Sequence, residues 1–345
     1  MKTNLLKMRR VLSATLLVLL LNVVGMTNAF AQTQVATLQH NDTISMYYGQ
    51  NALVEAYTAS ADGDVITLSS GTFTTTGDIM KSIILRGAGC VADTATNTLP
   101  TIIPGTIKLQ HCSPTIEGIV FSGTIVCYIY GNSNMSYKPT FIKCSINEIR
   151  PFAYGQCNRS CQCTDCIVKN FDFAYMVGAE FINSVVYFSN YVHDDIYNLT
   201  SVYNSLLVFP DGKNIKNLIA YNSIIVSNNQ NVVDNCTFNN CIGIKLGDTS
   251  IFEGQANASN MEVNNYSDVF ETFNGTVSFD ENYNLKNDII DTFLGNDGTQ
   301  VGIYGGMMPY NPRPTYMKIK RCNVASRSTI DGKLSVDIEI INEDN

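Results

Sequence analysis

His193-Asp194-Asp195 is the stretch with the plainest capacity for chemistry. Two adjacent carboxylates beside an imidazole could act as general acid and base, or activate a water, in cleaving a glycosidic bond. A second set is more dispersed: Lys143, Arg150, Arg159 and Lys169, with Asp165 among them. Elimination next to a uronate carboxylate needs a Lys or Arg base, and Ca²⁺ or an Arg to acidify the proton. Arg150 and Lys169 sharing a groove with Asp165 as a calcium ligand would meet that need; apart from this conditional Ca²⁺, no cofactor is expected. A third set, Cys157, Cys161, Cys163 and Cys166, looks at first like a metal cluster. Tetrahedral zinc requires sulfurs that converge. On a regular strand Cys163 and Cys166 face opposite sides, so no metal site is expected, and a disulfide among Cys157, Cys161 and Cys163 is the alternative. A fourth set, Lys143, Asp165, Asn183, Asn204 and Asn222, is expected to bind a ligand through outward polar groups. His40 and His111 have no evident partner in the sequence.

These residues must be positioned by a repeat that runs over 114–244. Ile142-Lys143-Cys144-Ser145-Ile146, Thr164-Asp165-Cys166-Ile167-Val168, Ile182-Asn183-Ser184-Val185-Val186 and Tyr203-Asn204-Ser205-Leu206-Leu207 share one pattern, which continues at Tyr221-Asn222-Ser223 and Asn239-Asn240-Cys241. The middle residue is always small: Gly118, Cys144, Cys166, Ser184, Ser205, Ser223, Cys241. Successive steps are 26, 22, 18, 21, 18 and 18 residues. A short strand recurring at roughly 20 residues signals a solenoid. Read as single five-residue strands, the segments put Ile142, Cys144 and Ile146 on one face and Lys143 on the other. On that reading the small residues form one inward column, and the Asn run forms either an outer amide ladder or ordinary solvated positions, the latter being the simpler expectation. Stacked rungs about 4.8 Å apart would pair every backbone group and build one core. The expected fold is all-β: a right-handed parallel β-helix with an N-terminal cap and a C-terminal β tail. A leucine-rich-repeat horseshoe is excluded because its consensus and helical half-repeat are missing.

The ends and the composition narrow the setting. Lys2, Lys7, Arg9 and Arg10, an apolar run over 11–24 and Ala29-Phe30-Ala31 predict a signal peptide over 1–31 and export to the periplasm, the cell surface or the medium. That leader holds four basic and no acidic residues, so its removal takes the net charge from −8 to −12. An acidic surface argues against nucleic acid and anionic membrane as partners. Eleven Cys cannot all pair internally, and those at the small inward position act as small buried residues. There is no Trp to stack on sugars, but there are 18 Tyr.

Asn51-Ala52-Leu53-Val54-Glu55-Ala56-Tyr57 predicts a short capping helix. It is followed by Gly63-Asp64, the strand Val65-Ile66-Thr67-Leu68 and Gly71-Thr72-Phe73. This order resembles the opening of pectin-lyase-like β-helix proteins. Asp268-Val269-Phe270, then Asn282-Tyr283-Asn284-Leu285, then Asp297-Gly298 and Tyr304-Gly305-Gly306 resemble the closing coils of secreted bacterial β-helix proteins, with Asn282 where Asp is usual. The resemblance implies a β-helix over 32–310. The Asp194-Asp195 pair also resembles one fragment of the polygalacturonase active site, whose Gly-His-Gly and Arg-x-Lys fragments have no counterpart here.

Pro309, Pro312 and Pro314 mark a break, and 311–345 forms a tail. Leu334, Val336, Ile338 and Ile340 alternate with polar residues and predict a half-buried strand. It either packs along the helix and caps its C-terminal end, or pairs with another chain. Only 15% of residues are charged, whereas active sites concentrate titratable groups. The leading expectation is a non-catalytic β-helix that binds a polysaccharide or surface glycan, or serves as a scaffold. A polysaccharide lyase or glycoside hydrolase acting on acidic polysaccharide is the second reading. A surface component that assembles through the C-terminal strand is the third.

Overall fold

The computed structural model describes residues 34–93, 98–128, 137–151, 160–172, 178–190, 200–210, 212, 215–228, 232–313, 318–324 and 336–341. The chain folds as a parallel β-helix of about eight turns. An antiparallel hairpin, β1 (Val35–His40) and β2 (Thr43–Tyr48), opens it, turning at Asn41 with φ +51°. Helix α1 (Ala52–Ala59) follows and buries Ala52, Leu53 and Ala56 against the hairpin and β3 (Val65–Leu68). This covers the apolar end of the solenoid, as the sequence requires of residues 51–57. The hairpin itself is not foreseen from the sequence. In it His40 finds a partner, with Nδ1 2.9 Å from the Asp64 carboxylate.

Two twelve-stranded sheets form the main walls. Sheet A runs β2, β1, β3 and then in parallel through Ile84–Arg86, Thr115–Glu117, Thr140–Ile142, Gln162–Thr164, Glu180–Ile182, Thr200–Tyr203, Leu218–Tyr221, Thr237–Asn239 and Ala256–Ala258. Sheet B takes the strand that follows in each coil, such as Val185–Asn190, Leu206–Phe209, Ile224–Ser227 and Ile242–Lys245. The repeating segment is therefore not one strand. It is the end of a sheet A strand, a corner, and the start of a sheet B strand. Lys143, Asp165, Asn183, Asn204, Asn222 and Asn240 hold the corner with φ between +47° and +54°. Asn and Asp enter this left-handed region most readily, and Gly118 takes the same place one coil earlier.

The corner resets the alternation of side chains. Ile142, Thr164, Ile182 and Tyr203, expected to face inward, face outward; Tyr203 is 38% exposed. Their neighbours Phe141, Cys163, Phe181 and Val202 fill the interior at 0% exposure. Sheet B contributes Phe121, Ile146, Val168, Val186, Leu207 and Ile225 to the same core. Phe181 packs edge-on against Phe171 and Phe188, with centroids 5.1 and 6.3 Å apart, and Phe188 stacks on Phe209 at 4.3 Å.

Six of the seven small residues point inward as expected; Gly118 does not join them, because it holds the corner and Ile119 takes the inward place in its coil. Cys144, Cys166, Ser184, Ser205, Ser223 and Cys241 are all buried to 1% or less. They also bond. The Ser184 N–H donates to Ser205 Oγ at 3.0 Å, and Ser205 N–H donates to Ser223 Oγ at 3.1 Å. Each hydroxyl donates back to the carbonyl two residues earlier, at 2.7–2.8 Å from Tyr221 O, Tyr203 O and Ile182 O. The hydroxyl thus relays a backbone bond that the corner geometry would otherwise leave open.

In the coils from Ile167 to Ile244 the sheet B strands are buried on both faces. Ile167, Val185, Leu206, Ile224 and Ile242 point out of the solenoid yet are 0–2% exposed. They are covered by the chain that follows the last coil, through Val269, Phe270, Phe273, Tyr283, Leu285, Val301 and Ile303, which make a second apolar core. The expected tail strand is present as Val336–Ile341, and its observed partner is Lys318–Val324 of the same chain, paired antiparallel.

The relay makes a prediction. Ser205→Ala, which removes only the hydroxyl, strands the Ser184 N–H in the core and should cost about 1–3 kcal/mol in denaturant unfolding. Ser205→Cys, the residue used elsewhere in the column, should cost clearly less; equal losses would show that the relay contributes nothing there.

Candidate functional site

All five residues expected to meet a ligand stand in one column. Each is the left-handed corner of its coil, and each donates its N–H to the next coil: Asn183 to Tyr203 O, Asn204 to Tyr221 O and Asn222 to Asn239 O, at 3.0–3.1 Å. Their side chains are engaged by the chain's own segment 294–313, which passes back along the column like a strap. Asn240 Nδ2 donates to Leu294 O at 3.5 Å. Asn222 exchanges bonds with Asn296, through Nδ2 to Oδ1 at 3.0 Å and from the Asn296 N–H to Asn222 Oδ1 at 2.9 Å. Asn183 Nδ2 donates to Ile303 O and Gly305 O at 3.0 and 2.9 Å. Lys143 Nζ reaches Arg313 O at 2.8 Å. Lys143, Asn183 and Asn222 are only 4–6% exposed, so the simple expectation of solvated Asn positions is not met for these. Gly306 crosses Asn204 so closely that a Cβ would stand 2.2 Å from Asn204 Nδ2. The Gly305-Gly306 pair noted in the sequence is therefore a clearance for the strap.

Asp165 breaks the Asn pattern. Its carboxyl accepts the Asn311 N–H, but its Oδ1 is buried without a partner. Burial pushes its pKa up to about 7, against the opposing pull of Lys143 and the Asn311 N–H. The folded state therefore favours the protonated acid. Stability from this site is full below the ordinary carboxylate range and is lost as pH rises through about 7.

The cysteines are corrected by the same corner. The turn at Asp165 brings Cys163 and Cys166 to the same side, both at 0% exposure and in thiol contact, rather than to opposite faces. Cys161 joins them. Cys90, Cys112, Cys144, Cys161, Cys163, Cys166, Cys236 and Cys241 are free thiols; Cys157 lies outside the described residues. Burial pushes the Cys241 thiol up to about 12 and those of Cys90, Cys112 and Cys236 to about 11, so these are neither nucleophiles nor ready metal ligands at neutral pH. Among the described residues no three His, Cys, Asp or Glu side chains gather in a way that could hold a metal ion.

His193, Asp194, Asp195 and Arg159 lie outside the described residues. Arg150 is exposed on the Ser145–Pro151 strand. Lys169 lies over the Phe279 ring at 4.1 Å and Asp165 is under the strap, so these two are engaged separately. The first-coil basic residue Arg86 sits 3.8 Å from Glu117.

The outer face of sheet A offers a different site. Its strands alternate buried and half-exposed residues, with none of its outward side chains in the second core. The parallel register aligns two columns. One runs Thr140, Gln162, Glu180, Ser201, Ile219; the other runs Ile142, Thr164, Ile182, Tyr203, Tyr221, Asn239. Tyr203 and Tyr221 stack with centroids 5.5 Å apart and planes 5° off parallel. Beside them Lys138 Nζ holds Glu180 Oε2 at 2.6 Å. The face thus presents carboxylate, amide, hydroxyl and aromatic edges at one coil spacing of about 4.8 Å. Strict alternation along the sequence misses it because it sends Tyr203 to the interior; the signal is the identical Tyr-Asn-Ser at 203–205 and 221–223.

Asp165→Asn removes the only acid of the corner column between Lys143 and Asn240 and restores the common residue type. Thermal stability of the parent should fall from about pH 4 to about pH 7 and level off above, and the variant should lose most of that slope. An unchanged slope would remove Asp165 as its source.

No protein-family model, curated protein or solved structure matches the chain.

Proposed function

We propose that this chain is an exported, non-catalytic β-helix of the pectin-lyase-like, secreted bacterial kind, and that it binds a surface glycan or polysaccharide along the outer face of sheet A. One observation carries the reading. From Ile167 to Ile244 sheet B is apolar outside and sealed by the C-terminal segment, whereas sheet A keeps a long, half-exposed, mixed polar and aromatic outer face. A protein needing only a stable solenoid has no use for such a row of aligned hydrogen-bonding groups. Sugar hydroxyls, repeating along an extended chain, suit amides and carboxylates on a regular flat surface, with tyrosine edges and hydroxyls completing the contacts. Glu180 neutralised by Lys138 keeps that surface compatible with neutral or moderately acidic polymers despite the net charge of −8.

The export and the bacterial setting are supported by the leader pattern over 1–31 and by the opening and closing motifs in the sequence. The low charged fraction supports binding over turnover.

The test is a glycan array followed by calorimetry with the best ligand. Replacing Tyr203 and Tyr221 together with Ala should weaken binding at least about tenfold, or about 1.4 kcal/mol, with the fold intact by circular dichroism. Binding that ignores both changes would place the ligand elsewhere. Release of unsaturated or reducing sugars that disappears on changing Asp194 and Asp195 to Asn would replace this reading with the enzymatic one.

A further inference from the structure

We propose that the protein self-associates as a two-fold dimer through the free edge of β2, with Met46 of one copy opposite Met46 of the other. Among the described residues β2 is the terminal strand of sheet A, with β1 as its neighbour on one side. Its outward side chains Ile44, Met46 and Tyr48 are 68%, 54% and 61% exposed. Tyr47, on the other face, packs against the core and fixes which side of the strand faces out.

The backbone of this edge is equally open. The Gly49 N–H donates to Gln34 O at 2.8 Å, which marks a hydrogen-bonded pair. Counting along the register at the antiparallel period of two, Ala36↔Tyr47, Leu38↔Ser45 and His40↔Thr43 are the bonded pairs of the hairpin. The N–H and C=O of Ile44, Met46 and Tyr48 must then point away from β1. The three residues with exposed apolar side chains are the same three whose backbone groups face outward. Natural edge strands are usually blunted by a charge, a proline or a bulge. β2 has none of these: its register is unbroken, and no charged residue occurs between Asp42 and Glu55.

Charge and symmetry select the occupant. With a net charge of −8, two copies repel over most orientations, and an uncharged strip is where they can meet. In antiparallel pairing centred on Met46, Ile44 faces Tyr48 of the other copy, Tyr48 faces Ile44, and Met46 faces itself. Each of these pairs can exchange both backbone bonds. Three apolar side chains and one strand edge bury on the order of 300–400 Å² per copy, against about 800 Å² in a standard interface. The dimer should therefore be weak, in the micromolar to millimolar range. It joins two twelve-stranded sheets edge to edge and extends their outer faces into one surface.

Sedimentation equilibrium of the full-length protein from about 10 µM to about 1 mM should fit a monomer–dimer equilibrium. Met46→Lys sets like charges opposite each other and should remain monomeric, with an unchanged unfolding midpoint. Under mild oxidation Met46→Cys should form disulfide-linked dimers above the wild-type background, whereas Thr43→Cys, off the two-fold axis, should not. A wild type that stays monomeric, a dimer that survives Met46→Lys, assembly past the dimer, or equal cross-linking of both cysteine variants would each overturn the proposal. The first result would leave the edge to another protein's strand; assembly past the dimer would indicate head-to-tail pairing with the opposite edge at Ala256–Ala258.

Discussion

Between Ile182 and Ser184, and at the same place in neighbouring coils, the chain must leave one sheet and enter another within a single residue. That residue takes φ near +50°, where an ordinary side chain costs roughly 1–2 kcal/mol and Asn or Asp less. The corner also disturbs the backbone ladder. The left-handed residue still reaches the next coil's carbonyl, as Asn183 does to Tyr203 O. The residue after it reaches only the next coil's small hydroxyl, as Ser184 does to Ser205 Oγ. Two adjacent positions are thus constrained for different reasons, the first by torsion and the second by a buried hydrogen bond that needs a small polar side chain. The Cys members of the column do the same through sulfur, with the Cys144 N–H 3.4 Å from Cys166 Sγ.

That corner also decides what the outside of the protein looks like. Because it resets the alternation, sheet B turns apolar residues outward as well as inward, and those must be covered. Segment 264–313 does so, and its last part follows the corner column because the corner side chains are the available donors and acceptors there. The amides of Asn183 and Asn222 satisfy strap carbonyls and side chains that would otherwise be buried unpaired. Asp165 fits this scheme least well, since a carboxylate has no N–H to donate to the strap. With sheet B sealed, sheet A is left to face solvent, and it is there that the polar and aromatic columns accumulate.

Much of the fold was legible. The spacing of small residues gives the coil length and, Gly118 apart, the inward column, and the run 51–57 gives the capping helix. The strand boundaries were not legible from alternation alone, because period two fails across a left-handed residue. Asn before Ser or Cys is visible in four repeats, at 183, 204, 222 and 240, and read as turn chemistry it marks the corner. Unbroken apolar runs such as Leu206-Leu207-Val208 likewise indicate strands buried on both faces. The expected ligand-binding column was legible as a column but not as a strap anchor, since sequence spacing carries no information on which distant segment returns to cover it.

The sequence by itself determined the repeat, the inward Ser and Cys column and the all-β character, because these follow from local periodicity and residue size. Only the tertiary structure decided which face is open. The contacts that close sheet B join residues far apart in the chain, Asn183 to Ile303 and Gly305, Lys143 to Arg313. Such pairings depend on where the chain returns in space, and no local pattern of side chains encodes that path.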